Sequence, residues 1–229
     1  YVLNGSKCFI TNGGYADMFT VYAKTDKDAG HRGISAFVVE KDDTITVDKK
    51  EDKMGQRASN TATITFNDTE VPAENLLGEE NKGFKLAMMT LDRTRPGVSA
   101  LAVGIARAAF EFASEYSKER IQGGVPIHQH QSVRSRLFRM FMKVEAARAL
   151  ARRVAVFNAA GAPKVQYSIA SKVFCTGTAF EVANEALQIF GGNGLSREYP
   201  IEKLLRDARA SLIEDGCNEV LSIVGGARL

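Results

Sequence analysis

Gln188–Cys217, QIFGGNGLSREYPIEKLLRDARASLIEDGC, is the run from which the rest of the chain can be read. It places an apolar helix end, a glycine turn, a charged helix and an acidic pair before a glycine in one stretch. Gly191-Gly192-Asn193-Gly194 has two readings. It ends a helix, with glycines supplying positive φ, or its backbone N–H groups cradle a phosphate. A helix and not a strand precedes it, so it is no dinucleotide fingerprint. Glu214-Asp215-Gly216 is equally open. It is a solvated turn, or a carboxylate aimed rigidly enough to act as a general base.

Upstream of this run the apolar period is helical back to Gly83. Phe84, Leu86, Ala87 and Leu91, then Val98, Leu101, Ala102, Ile105 and Ala109, fall at helical spacing. The spacing predicts long helices over about 83–119, 129–160 and 164–190, and shorter ones over about 200–212 and 217–226. Gly123-Gly124-Val125-Pro126, Gly161-Ala162-Pro163 and Gly191–Gly194 break them. Long helices with short loops make an up-down four-helix bundle. The alanines along them permit close packing, within the chain or between subunits. Before Val71-Pro72 the period is two. Lys7–Thr11, Met18–Lys24, Gly33–Glu40 and Thr61–Phe66 read as short strands, punctuated by Gly13-Gly14, Asp28-Ala29-Gly30 and Asn67-Asp68. The expected fold is α+β: a small antiparallel β sandwich or barrel over 1–75, then a helical domain over 76–229. Tyr1-Val2-Leu3-Asn4-Gly5 reads as a strand already under way, so partner strands and a further domain are expected upstream.

Composition narrows the class. The chain has 229 residues, 45% of them hydrophobic, with 30 basic and 27 acidic side chains. A net charge of +3 argues against nucleic-acid binding by bulk charge. Cys8, Cys175 and Cys217 are odd in number and far apart, which suits a reducing compartment and no disulfide framework. No apolar run reads as a membrane span.

Three further groups have chemical and bland readings. Arg120 and Gln122 end a long helix, where the guanidinium fits a pyrophosphate or merely complements the helix C-terminus. Asp92-Arg93-Thr94-Arg95-Pro96 lies inside the first helical run, where Pro96 should weaken or kink the helix; its charges face a ligand or solvent. His128 and His130 lack a third ligand, and a two-residue spacing points the rings apart, so no metal site is expected.

Together the motifs resemble the acyl-CoA dehydrogenase family, most closely its medium-chain type. The segments that carry the likeness are NGSKCFITNGGYAD (4–17), KEDKMGQRASNTATITFNDTEVPAENLLGEENKGFKLAMMTLDRTRP (50–96) and QIFGGNG with EYPIEKLLRDAR, in that order. The resemblance covers nearly all of the chain. It implies the family's middle β domain, truncated at its start, and its C-terminal helical domain. It also implies FAD, an acyl-CoA substrate, electron-transfer flavoprotein as acceptor, a dimeric or tetrameric homo-oligomer, and a bacterial cytoplasmic or mitochondrial matrix setting. By position, Phe9, Ile10 and Thr11 match the segment against the flavin ring. Arg120, Gln122, His130 and Gln131 match residues that hold the FAD of a neighbouring subunit, and Gln188, Gly191 and Gly192 meet its adenine and phosphate end. Asn218 and Glu219 match further flavin contacts; Asp92, Arg95 and Gly216 match substrate positions. Gly123 stands where the family usually has Phe.

The implied reaction removes the α-proton of an acyl thioester while the β-hydrogen leaves as hydride to the flavin. Asp215 occupies the position of the family's catalytic Glu, within Glu214-Asp215-Gly216-Cys217 where the family reads Tyr-Glu-Gly-Thr. A second family location for the base is Thr94 here, which cannot serve. The base is therefore Asp215 or its neighbour Glu214. Asp is a methylene shorter than Glu, and a misplacement of roughly an ångström can cost on the order of a hundredfold in rate. The alternative is a non-catalytic or altered-chemistry subunit of a heteromeric assembly.

Overall fold

The computed structural model describes residues 1–229. It divides into two compact units, Tyr1–Thr90 and Leu91–Leu229. In the first, β1 (Val2–Thr11), β4 (Ile45–Lys50) and β5 (Thr61–Glu70) form an antiparallel sheet in the order β1-β5-β4, while β2 (Met18–Lys24) pairs with β3 (Ile34–Glu40). Period-two alternation sends Phe19 and Val21 of β2, Phe37 and Val39 of β3, and Ile64 and Phe66 of β5 into one shared core. This is the expected sandwich.

Two strand features differ from the sequence reading. β4 went unforeseen because only Ile45 is buried and Asp48, Lys49 and Lys50 follow it, so no apolar alternation marks it. β5 does not stop at Asn67-Asp68. Asp68 sits at φ +51° near Gly5 at φ +132°, where the β1–β5 register shifts. Asn4 staples this bulge: its Nδ2 donates to Asp68 Oδ1 at 2.8 Å, and its Oδ1 accepts from the Asp68 N–H at 2.9 Å. The residues that looked like a strand end are the bulge itself.

The helices fall where the apolar spacing put them: α1 (Gly83–Glu119), α2 (Gln131–Ala160), α3 (Val165–Phe190), α4 (Ile201–Ser211) and α5 (Asn218–Gly226). A two-residue hairpin, β6 (Ile121–Gln122) with β7 (Val125–Pro126), joins α1 to the α2 region. α3 is the central element, packed on α2, α4 and α5. Its inner face is lined by Ala179, Ala183 and Ala186, which meet Ala102, Ala106, Ala109 and Ala113 of α1 and Ala147 and Ala151 of α2 in one core. The small side chains let these helices approach closely, as their composition suggested.

Pro96 does not interrupt α1, which runs through it for 37 residues. Proline lacks the N–H that would bond the carbonyl four residues back, that of Asp92. That carbonyl is taken instead by Ser168 Oγ of α3 at 2.6 Å and by Asn158 Nδ2 of α2 at 3.3 Å. A missing intrahelical bond thus becomes a three-helix tie, and a part-buried backbone acceptor stays satisfied. α1 is also long and apolar enough to cross a membrane by length and composition, contrary to the sequence reading. Its alanine face lies in the core of the second unit.

Candidate active site

The acidic turn starts where α4 runs out. The N–H groups of Ile213 and Glu214 both close onto the Ala210 carbonyl, at 3.0 and 3.3 Å. Asp215 then adopts φ +52° and Gly216 φ +105°, and the Asn218 N–H returns to the Leu212 carbonyl at 3.0 Å before α5 begins. Two successive left-handed residues reverse the chain in very little length. Gly216 is required twice over: its φ disfavours any side chain, and a Cβ there would lie 3.1 Å from the side chain of buried Leu221. Asp215 is exposed and Glu214 half-buried. The Asp215 N–H has no hydrogen-bond partner within the chain. The turn therefore offers a carboxylate and a free backbone donor from one residue.

Beneath the turn lies Lys172 of α3, fully buried. Its Nζ donates to the Gly216 carbonyl at 2.7 Å and to Asn218 Oδ1 at 2.8 Å. The Asn218 amide is held in turn by Thr176, whose Oγ1 accepts from Nδ2 at 3.0 Å. Asn218 thus spends both ends of its side chain inside the chain, while exposed Glu219 accepts from the Cys217 thiol. Burial pushes the Lys172 ammonium toward deprotonation; Glu214, Asp215 and Cys217 oppose that, and Arg95 adds to it.

Asp92 and Arg95 come together on α1 as an ion pair, Nη1 to Oδ1 at 2.6 Å, with Arg95 only 4% exposed. The Arg95 Nε has no partner. Burial raises the Asp92 pKa, against the lowering effects of Arg95 and Arg228. One turn on, Ser99 and Ser171 join α1 to α3 through a buried 2.8 Å hydrogen bond.

The remaining predicted positions of this unit lie at the other end of α3. Lys172 and Gln188 are 16 residues apart in sequence, about 24 Å along the helix. There Gly191 caps α3 at φ +59°, its N–H closing onto the Leu187 and Gln188 carbonyls. Gln188, Gly191 and Gly192 are exposed, whereas Gly194 is buried with no room for a Cβ, which would lie 2.7 Å from the Leu187 carbonyl oxygen. Tyr116 of α1 stacks on Phe190 at 4.1 Å, and its hydroxyl accepts from Asn193 Nδ2 at 2.9 Å. One turn beyond Tyr116, Arg120 leads into the hairpin. His130 Nε2 lies 3.0 Å from the Gln122 carbonyl, and Gln131 opens α2 beside it, exposed. Tyr116 thus ties the Gln188–Gly192 set to the Arg120–Gln131 set. Gly123 and Gly124, at φ +61° and +81°, form the hairpin turn itself.

In the first unit, Phe9 sits at φ +56° within the second register shift of β1, between Lys7 and Ile10, and is 69% exposed. Ile10 is half-buried and Thr11 exposed. A bulge that presents an aromatic ring to solvent needs a reason outside the unit's own core.

Sequence reasoning overlooked Lys172, Thr176, Ser168 and Tyr116. A signal for the first three was present. Ser168, Ser171, Lys172 and Thr176 recur at helical spacing on the same face as the buried alanines of α3, a polar stripe where an apolar one was due.

Comparison with known proteins fits this architecture. The model of the acyl-CoA dehydrogenase C-terminal domain matches residues 81–229, and that of the acyl-CoA dehydrogenase middle domain matches residues 1–69. The short-chain-specific acyl-CoA dehydrogenase of Megasphaera elsdenii is 51% identical over 232 residues, spanning 100% of this chain and 60% of that protein. The solved structure of butyryl-CoA dehydrogenase from Megasphaera elsdenii superposes with a TM-score of 0.97 at 50% identity, over 99% of this chain and 60% of that one. A chain from the structure of the electron transferring flavoprotein of Acidaminococcus fermentans, concerned with flavin-based electron bifurcation, gives 0.96 at 47% identity over 99% and 60%. The chain therefore spans about 60% of the length of these relatives.

Proposed function

This chain belongs to the acyl-CoA dehydrogenase family, and from that premise we propose that the protein carrying it oxidises an acyl-CoA thioester to its α,β-unsaturated form, with Asp215 as the base. The observation that carries the reading is the acidic turn: an exposed Asp215 carboxylate held in a left-handed turn by buried Lys172, with an unpaired N–H on the same residue. The α-proton of a thioester is weakly acidic, so base and oxyanion donor must act together. Asp215 carries both. Its carboxylate takes the α-proton, and its N–H stabilises the thioester oxygen as negative charge develops there.

The exposed Phe9 ring on its bulge fits the face of a flavin, with Ile10 and Thr11 beside it. Arg120, Gln122, His130, Gln131, Gln188, Gly191 and Gly192 would hold the FAD of a neighbouring subunit in a homo-oligomer. When bound, FAD supplies the acceptor for the β-hydrogen and its electron pair. The names of the similar proteins favour a short straight-chain acyl group, butyryl-CoA first, and electron-transfer flavoprotein as the acceptor downstream. Three free cysteines suit a reducing compartment such as a bacterial cytoplasm or a mitochondrial matrix.

The test is anaerobic mixing of the full-length, FAD-loaded protein with butyryl-CoA, hexanoyl-CoA and an alicyclic acyl-CoA. Loss of the flavin's visible absorption with at least one of them is expected. A yellow protein that none of them bleaches refutes the reading. A colourless protein that pairs with a second dehydrogenase chain points to an assembly subunit instead.

A further inference from the structure

We infer that Lys172 is the positioning residue of this site, the group that fixes where the Asp215 carboxylate and N–H stand. The inference rests on the proposed dehydrogenase reading. A left-handed non-glycine residue costs on the order of 1–3 kcal/mol and persists only where its surroundings over-determine it. Asp215 is such a residue, and Gly216 continues the reversal. Backbone hydrogen bonds close the α4 end as far as Glu214 and bracket the turn from Leu212 to Asn218, but none is made by Asp215 or Gly216 themselves. The Lys172 ammonium restrains the turn directly, from below. It binds the Gly216 carbonyl at 2.7 Å, immediately after Asp215, and reaches the first residue of α5 through Asn218 Oδ1 at 2.8 Å. Thr176, one turn along α3, orients that amide.

A buried ammonium is costly unless its donors are used, so a purely structural tie would be met more cheaply by a neutral donor. The charge has company that makes sense of it. From the turn it faces Glu214, Asp215 and Cys217; from α1 it faces Arg95, of like sign. It is thus a buried cation set beside the carboxylates that would take the α-proton. A positioning cation there holds the carboxylate at reach of the substrate. The compensation matters more because Asp215 is short.

Lys172→Met and Lys172→Gln in the full-length FAD-loaded protein test this role. Met removes the hydrogen bonds and the charge, while Gln keeps donors and loses the charge. Each is followed by flavin content, melting temperature, substrate dissociation constant and the limiting rate of flavin reduction. For Met we expect the limiting reduction rate to fall about a hundredfold, the cost of misplacing a reacting group by roughly an ångström. Substrate affinity should change by less than about threefold, since the loss falls on the transition state alone. A fall in the reduction rate with flavin content and substrate affinity unchanged is a split that a merely structural role would not produce. Reduction within twofold of the unsubstituted protein overturns the inference. If the Met variant does not fold, the Gln variant decides by the same comparison of reduction rate with substrate affinity. An unsubstituted protein that fails to bleach counts against the dehydrogenase reading, whereas normal bleaching in the variants counts against Lys172.

Discussion

Ser168→Ala should destabilise the helical unit, and Pro96 determines by how much. The Ser168 hydroxyl donates at 2.6 Å to the Asp92 carbonyl, whose helical partner is missing because residue 96 is proline. Ser168 is fully buried. Removing its hydroxyl leaves that carbonyl with only the 3.3 Å contact from Asn158. A buried acceptor stripped of its main donor costs about 1–3 kcal/mol. For a chain of this size each kcal/mol corresponds to roughly 2–4 °C, so the melting temperature should fall by about 2–12 °C. Pro96→Ala supplies the N–H that α1 lacks at this point, which gives Asp92 an intrahelical donor. In that background Ser168→Ala should cost less than about 0.5 kcal/mol, leaving a coupling of about 0.5–3 kcal/mol, above the few tenths expected of independent sites. Denaturant unfolding of the four proteins of the cycle measures this directly. Equal losses from Ser168→Ala with proline and with alanine at position 96 would refute the claim that the proline creates the acceptor.

Three further expectations follow from the same geometry. Gly216→Ala forces a side chain onto φ +105° and against Leu221; it should cost about 2–4 kcal/mol by strain and overpacking together, measured by thermal unfolding, and slow flavin reduction more than it weakens substrate binding. Burial lowers the Lys172 pKa from its usual 10.5. The unfolded chain therefore binds more protons between the lowered value and 10.5, so Lys172 makes stability rise with pH across that window; urea unfolding at a series of alkaline pH values should show a flatter rise in Lys172→Met. Cys175 is fully buried, its thiol pushed up to about 11 by desolvation, whereas Cys8 is exposed. A thiol reagent at neutral pH should label Cys8 at once and Cys175 only on unfolding, as read by peptide mass.

Much of the fold was legible because its signals are local. Each helix announced itself by apolar residues three and four apart, and β2, β3 and the start of β5 by alternation. β4 was invisible because one buried isoleucine makes no pattern. The continuation of β5 was hidden because Asp68 is a turn former by type and a bulge residue by partnership, and Asn4 lies 64 residues away. Pro96 was read by its own geometry, yet its effect depends on a serine 72 positions later in the chain. The candidate site divides in the same way. Asp215 and Gly216 could be picked out from a short motif. Lys172 was harder to see: the polar stripe it belongs to is a signal, but a lysine on an alanine-rich helix reads as solvated until the helix is known to be central. What sequence reasoning lacked in each case was a long-range partner.

The central claim is that Asp215 takes the α-proton. Anaerobic mixing of butyryl-CoA with the full-length FAD-loaded protein, its Asp215→Asn variant and its Glu214→Gln variant tests it most directly, with flavin absorption as the readout. Asp215→Asn keeps the backbone N–H and nearly the same shape but cannot accept the proton. Bleaching should vanish in that variant at unchanged FAD content and persist in Glu214→Gln. Bleaching retained in Asp215→Asn and lost in Glu214→Gln would contradict the account and move the base one residue back.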